Sequence, residues 1–471
     1  MRLLRGREGR RLHDHRGERE AFLSRSISYE SGWRSSPQAP LKDAIRGQQR
    51  QALPISEAIG GFSRVYAAAV LDYMRALPED ALESVVRALS RAISANGSTV
   101  YIFGNGGSHA IARHLEYALR MRFRALYGIR IKCGVDYHSA QAHAVGGGYG
   151  SIFEVVLRTE RADRGDLAVF VSGSGDSDNL LHAAAFCRAQ GIQSLSFAGF
   201  EGGKISRPGL TDVPFVVRMP DQQIAEDIIQ AILRVAVDLA YERCVGTAGS
   251  ARDAVSRYSL CLEASLDRLE PAWFERVSAG VCEAFLAGRT VFLLAPEGAP
   301  LSVSAEHTAH NFNWDAVYQI SNPPRRRICS TPTSCDYTGI GNDRVTPAIV
   351  SCQQLAAAEP GDVLLLFTED LSSEVVQRVV AAAQSVPMTV YALTGRDGPS
   401  RSRHVDVASL ESDVPGVLAD VGQMCGHMLG RVIHMRLAQA VDPGCVIDNG
   451  ETYLIDNDLA QRRLLDVLTA L

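Results

Sequence analysis

A chain of 471 residues is longer than one hydrophobic core commonly serves, so two domains are expected. Hydrophobic residues make up 46% of it, charged residues 21% and aromatics 7%, which excludes a mainly disordered, collagen-like or coiled-coil protein. A net charge of -5 excludes a nucleic-acid footprint over the whole surface, and the absence of any run of eighteen apolar residues excludes a helical membrane span.

Residues 1–55 carry 12 Lys+Arg against 6 Asp+Glu, which leaves 36 against 47, or -11, for the rest. This start reads as a basic flexible arm on an acidic body. It lacks the apolar stretch of a secretory signal, so a cytoplasmic protein without membrane or nucleic-acid partners is expected. Ten cysteines are scattered from Cys133 to Cys445 without a CxxC pair, which fits reduced thiols.

From Ser56 to Ala95 the sequence is strongly helical. The apolar run Val100-Tyr101-Ile102-Phe103 predicts a strand, followed by a helix over Ala110–Arg124. A second strand at Ala168–Val171 leads to a helix over Asn179–Gln190, and a third at Ser194–Ala198 precedes a helix over Ile224–Tyr241. Residues 245–250 read as a linker, and Asp253–Ala287 is again helical. The pattern then recurs: Val291-Phe292-Leu293-Leu294 answers the first run 191 residues on, and Pro360-Gly361-Asp362-Val363 answers Arg164-Gly165-Asp166-Leu167 at 196. Strands apolar on both faces, alternating with helices, specify parallel sheets covered on both sides. The expected fold is α/β, two doubly wound, flavodoxin-like parallel-sheet domains in tandem over 56–248 and 251–440, followed by an extension over 441–471.

Two loops of the first copy carry chemistry. Gly104-Asn105-Gly106-Gly107-Ser108 turns from strand into helix, where glycines admit close backbone approach and free N–H groups point outward. Ser172-Gly173-Ser174-Gly175-Asp176-Ser177 repeats the arrangement after the second strand. Both suit a phosphate, and they give Asn105, Gly106, Gly107, Ser108, Ser172, Ser174, Asp176 and Ser177 as candidate substrate-binding residues. GxGxxG and GK[ST] are both missing, so neither a dinucleotide fold nor a P-loop is indicated.

Together with His114, Tyr149-Gly150 and Arg164-Gly165-Asp166, these runs resemble, in order, the sugar isomerase (SIS) domain, specifically its phosphoheptose isomerase branch. The resemblance covers about residues 60 to 440 as two SIS domains. The second copy keeps Gly339-Ile340-Gly341-Asn342-Asp343 and Leu393-Thr394-Gly395-Arg396-Asp397-Gly398, but Ala295-Pro296-Glu297-Gly298-Ala299-Pro300 and Thr368-Glu369-Asp370-Leu371-Ser372-Ser373 replace its phosphate loops.

The resemblance implies proton shuttling between C1 and C2 of an open-chain sugar phosphate, with zinc among the groups involved. It places a Glu four residues after the helix His. That position holds Ala118 in the first copy and Asn311 in the second, after His307. Gly426-His427 resembles the catalytic Gly-His of the last helix, and Asp343 the aspartate of GND. The losses are complementary, which suggests one composite site: phosphate loops from the first copy, with His307, Asp343 and His427 as catalytic groups from the second. His307, His310 and His427, with Glu306 or Cys425, are the candidate zinc ligands. Two functions share these loops: an aldose-ketose isomerase, and a non-catalytic sugar-phosphate-binding or assembly protein. A small sugar phosphate is the expected partner, and pairing of two chains would reproduce the family's four-domain body.

Overall fold

The computed structural model describes residues 55–441, except 96, 124–129, 135–136, 248, 299, 318–319, 321–322, 331–346 and 397–403. The basic arm up to residue 54, Asp343 with its Gly339–Asn342 run, Asp397-Gly398 and the extension beyond Val441 lie outside the described residues.

After helices α1 (Ile55–Arg75) and α2 (Glu79–Ser94), the first half builds a parallel sheet from β1 (Thr99–Gly104), β2 (Arg130–Cys133), β3 (Leu167–Ser172), β4 (Gln193–Ala198) and β5 (Val213–Val216), in the order β2-β1-β3-β4-β5. Its helices are α3 (Gly107–Phe123), α4 (Tyr137–Gly147), α5 (Ile152–Thr159), α6 (Asp178–Gln190) and α7 (Gln222–Cys244). The second half follows with α8 (Ala251–Leu266), α9 (Pro271–Leu286), β6 (Thr290–Leu294), α10 (Leu301–Asn313), β7 (Arg327–Cys329), α11 (Pro347–Gln354), β8 (Val363–Asp370), α12 (Glu374–Ser385), β9 (Thr389–Arg396), β10 (Val405–Ser409) and α13 (Pro415–Val441). Its order, β7-β6-β8-β9-β10, is the same one repeated, and all pairs are parallel. Each order turns back between its two central strands, and crevices for ligands open at the carboxyl ends of strands at such a point.

The repeated Gly-Asp pair is explained by backbone hydrogen bonding. Asp166 accepts from the N–H of Thr99 at 2.7 Å and of Asp163 at 2.9 Å, which ties the turn before β3 to the start of β1. Asp362 does the same for Thr290 at 2.8 Å and Glu359 at 2.7 Å. The motif therefore fixes the register of neighbouring strands and carries no chemistry of its own.

Alternation along the central strands shows where the cores sit. Val100 and Ile102 of β1, with Val291 and Leu293 of β6, belong to one continuous core that runs through α7 and α13 between the sheets. Tyr101 and Phe103 face an outer core under α5 and α6, and Phe292 and Leu294 face its counterpart under α12. All described elements belong to a unit beginning at Leu53, and the helices between the sheets carry the polar groups of the candidate site. No described helix is long and apolar enough to cross a membrane.

Candidate active site

The first phosphate loop leaves β1 and the second leaves its neighbour β3. Asn105 and Asn179 tie them together by reciprocal amide hydrogen bonds of 3.0 and 2.9 Å, and Tyr149 donates to Asn105 Oδ1 at 2.9 Å. Gly106 needs its positive φ of 52° to make the turn. Ser172 Oγ accepts from the Gly175 N–H at 2.9 Å and Ser174 Oγ from Asp176 N–H at 3.2 Å, while Asp176 receives the Lys204 N–H at 3.0 Å. These side chains therefore shape the second loop, and Ser174 and Asp176 stand exposed at its rim. Ser177 begins α6 without capping it by its own side chain, and Asn179 Oδ1 accepts from the Leu180 N–H at 3.0 Å, so the earlier N–H groups of this turn are those offered to an anion.

Glu226, in the second turn of α7, reaches the first loop from behind. Its Oε1 accepts from Ser108 Oγ at 3.4 Å and Gln222 Nε2 at 3.2 Å, and the carboxyl fills the space beside Gly107. Its other oxygen, Oε2, lies 3.7 Å from His427 Nε2 on α13 of the second half. Burial pushes this carboxyl up to about 7, with the nearby His427 opposing.

His427 is fully buried and is gripped from the first half. Asp227 Oδ1 lies 3.0 Å from its Nδ1, and Tyr66 of α1 donates to Asp227 Oδ2 at 2.5 Å. Gln423, one turn earlier on α13, donates to Asp227 Oδ1 at 3.1 Å. Burial alone would lower the imidazole's proton affinity, but the Asp227 charge and hydrogen bond, with Glu226, hold it above its ordinary value. The His307 ring of α10 meets the His427 ring edge-on at 4.8 Å, and burial with the neighbouring imidazoles holds it well below its ordinary value.

The structure thus brings loop residues of the first half and His307 and His427 of the second to one place, with Glu226 between them. Among the described residues, Glu226, His307 and His427 are the side chains whose ligand atoms, one each, all lie within 4.8 Å of one another. His310 stands outside this group, its ring 6.3 Å from that of His307, and it is exposed like Glu306 on the far face of α10. Cys425 is buried, its thiol pushed up by burial, and does not join the cluster. Asp343 lies outside the described residues. Asn311 is buried, with its Nδ2 unpartnered.

Sequence reasoning missed Glu226, Asp227 and Tyr66. The available signal was an adjacent acidic pair within the apolar run Ile224–Val237, since carboxylates at core positions of a helix need partners. In the second half, Glu297 Oε2 accepts from Thr368 Oγ1 at 2.5 Å and from the Glu369 N–H at 2.7 Å, so a carboxylate of the protein occupies the counterpart of the phosphate loops.

Residues 65–199 match the SIS domain family. The phosphoheptose isomerase of Shewanella loihica PV-4 is 30% identical over 200 residues, 42% of this chain and 92% of that protein. That of Shewanella oneidensis MR-1 is 34% identical over 145 residues, 31% of this chain and 66% of the relative. The C-terminal domain of glucosamine-fructose-6-phosphate aminotransferase from Francisella tularensis superposes with a TM-score of 0.52 at 10% identity, over 79% of this chain and 94% of that one, a likeness of fold alone.

Proposed function

The chain belongs to the SIS-domain family that includes the phosphoheptose isomerases, and on that premise we propose that it interconverts the ketose and aldose forms of a sugar phosphate through an enediol. One observation carries this reading: Glu226 touches the phosphate loop with Oε1 and faces His427 Nε2 with Oε2. On this reading the carboxyl and imidazole that meet behind the phosphate loop are the acid-base groups that serve C1 and C2 of a phosphate-anchored sugar.

The roles follow from the contacts. The loops at Gly106–Ser108 and Ser174–Ser177 hold the phosphate through N–H groups and hydroxyls. Glu226 Oε1 takes the C1 proton of the ketose and returns it to C2, while a hydroxyl proton passes from O1 to O2. His427, fixed by Asp227 at Nδ1, directs Nε2 toward Glu226 at the edge of the cluster, and burial of the cluster keeps water away.

The same residues fit a zinc ion. His307 Nδ1 and His427 Nε2 are buried without hydrogen-bond partners, and a His₂Glu donor set suits a catalytic zinc site. Zinc held by His307, His427 and Glu226 Oε2 would supply polarisation of the sugar carbonyl.

The binding-only alternative draws on Ala118 and Asn311, which stand where the resemblance places a glutamate. Incubation with sedoheptulose 7-phosphate in deuterated water separates the two. Wild-type protein should form aldose with solvent deuterium at C2, and His427→Ala should not. Binding of six- and seven-carbon ketose phosphates without any exchange or turnover would refute the isomerase and leave the binding protein.

A further inference from the structure

The grip on His427 is built twice. Asp227 of α7 receives Tyr66 of α1 together with Gln423 and His427 of α13, so the first half supplies the acid and phenol and the second half the amide and base. On the other side of the same helix pair, Asp420 of α13 receives Tyr258 of α8 at 2.7 Å, Gln230 of α7 at 2.6 Å and Arg234 of α7 at 3.4 Å. The correspondence is positional: Tyr258 lies 192 residues after Tyr66, and Asp420, Gln423 and His427 lie 193 after Asp227, Gln230 and Arg234. His307 likewise lies 193 after His114. Two equivalent Tyr–Asp–Gln clamps therefore span the halves, each closing on the basic side chain four residues after its glutamine.

The two differ in what they hold and what lies beyond it. His427 has a second nitrogen, and that atom faces Glu226 Oε2. Arg234 only donates, its Nε and Nη2 bond the two oxygens of Asp420, and the residue equivalent to Glu226 is Ala419. The second clamp thus joins the halves by a buried ion pair and presents no proton acceptor. The first uses the same frame to fix a ring.

We propose that Asp227 and Tyr66 are positioning residues for the sugar-phosphate reaction: they hold His427 as the Nδ1–H tautomer, so that the lone pair of Nε2 is directed into the cluster with Glu226 and His307. An ionised carboxylate only accepts hydrogen bonds, so the nitrogen beside it must carry the proton. Tyr66 donates to Asp227 Oδ2, which lies 3.1 Å from the same His427 nitrogen, and so keeps both carboxylate oxygens turned toward the ring. The Tyr258–Asp420–Gln230 clamp is its structural counterpart and takes no part in the chemistry.

The kinetic arm of the test rests on the isomerase reading, and the spectroscopic arm does not. Nitrogen-15 NMR of histidine-labelled protein at pH 9 should show His427 as the Nδ1–H tautomer in the wild type, and a tautomer mixture in Asp227→Asn. A wild-type ring protonated at Nε2 alone overturns the proposal even if the enzyme turns over. In kinetics, Tyr66→Phe and Asp227→Asn should lower kcat on the order of 10- to 100-fold with KM little changed. Tyr258→Phe and Asp420→Asn should lower the melting temperature by several degrees and leave kcat intact. An Asp227→Asn enzyme with undiminished kcat, or an Asp420→Asn enzyme that loses as much, overturns the proposal. A wild type inactive on every sugar phosphate refutes the isomerase reading, and the tautomer then decides this one.

Discussion

The carboxyl of Glu226 occupies the space that a side chain on Gly107 would need. Glu226 is 2% exposed, and its carboxyl is held by Ser108 of α3 and Gln222 beside His427, so it cannot swing out to solvent without breaking these contacts. At Gly107 a side chain is therefore opposed by a contact from another helix, whereas the turn itself needs glycine at Gly106. Gly107→Ala should displace the carboxyl, weaken sugar-phosphate binding by at least about tenfold, and abolish turnover. Calorimetric titration checks this, and binding at wild-type strength would show that Glu226 does not support the loop.

Glu226→Gln keeps the shape and the hydrogen bond from Ser108 but removes the group that exchanges a proton. Loss of a positioned acid-base group costs on the order of 10² to 10⁴ in rate. The variant should thus bind a ketose phosphate nearly as the wild type does while kcat falls by that factor. Steady-state kinetics alongside titration separates the two quantities. Loss of binding with unchanged kcat would reassign Glu226 to the cradle alone.

Much of this was legible in the chain. The central strands β1, β3, β4, β6, β8 and β9 announced themselves as apolar runs because both their faces are covered. Edge strands β2, β5, β7 and β10 did not, since a run such as Arg130-Ile131-Lys132-Cys133 buries fully only Ile131 and pairs on one side. The phosphate loops were readable from glycine and serine spacing. The contact of Glu226 and Asp227 with His427 was not, because residues 200 and 201 positions apart meet only through the packing of α7 on α13. The helix pattern gives the faces of those helices and not their crossing.

His114 gives a test of burial. Its ring is fully enclosed, its Nδ1 lacks a partner, and burial, with Arg234 and Arg113 nearby, pushes its pKa down to about 3 from an ordinary 6.5. The unfolded chain binds this proton below pH 6.5 while the folded chain refuses it. Stability is therefore intact above pH 6.5 and is lost progressively as pH falls toward 3, by about 2 kcal/mol at pH 5 from this group. His114→Gln should flatten urea-unfolding stability between pH 7 and pH 5 by roughly that amount. An unaltered slope would mean that the ring is protonated in the folded state.

Zinc content tests the donor set without reference to turnover. One equivalent per chain is expected by elemental analysis of protein purified without chelator. His307→Ala and His427→Ala should each lose it, because three protein ligands are the minimum for a catalytic zinc site. His310→Ala should keep it, since that ring lies outside the cluster. Retention of zinc by the His427→Ala protein would place the ion elsewhere.

Duplication would by itself give two composite sites per chain, yet the residues leave room for one ligand. In the second half Glu297 bonds the Thr368 hydroxyl and the Glu369 N–H, so a fixed carboxylate lies where a phosphate would need those donors. Burial and the charge of Glu297 push the Glu369 carboxyl up, which marks the region as hostile to a further anion. Across the helix pair, Arg234 replaces the base and is engaged by Asp420. Titration with a bound ketose phosphate should therefore saturate at one molecule per chain. Ser108→Ala combined with Gly107→Ala, confined to the first half, should abolish all binding. A stoichiometry of two, or binding that survives the double substitution, would place a second phosphate cradle on the Glu297 side and undo the division of labour between the halves.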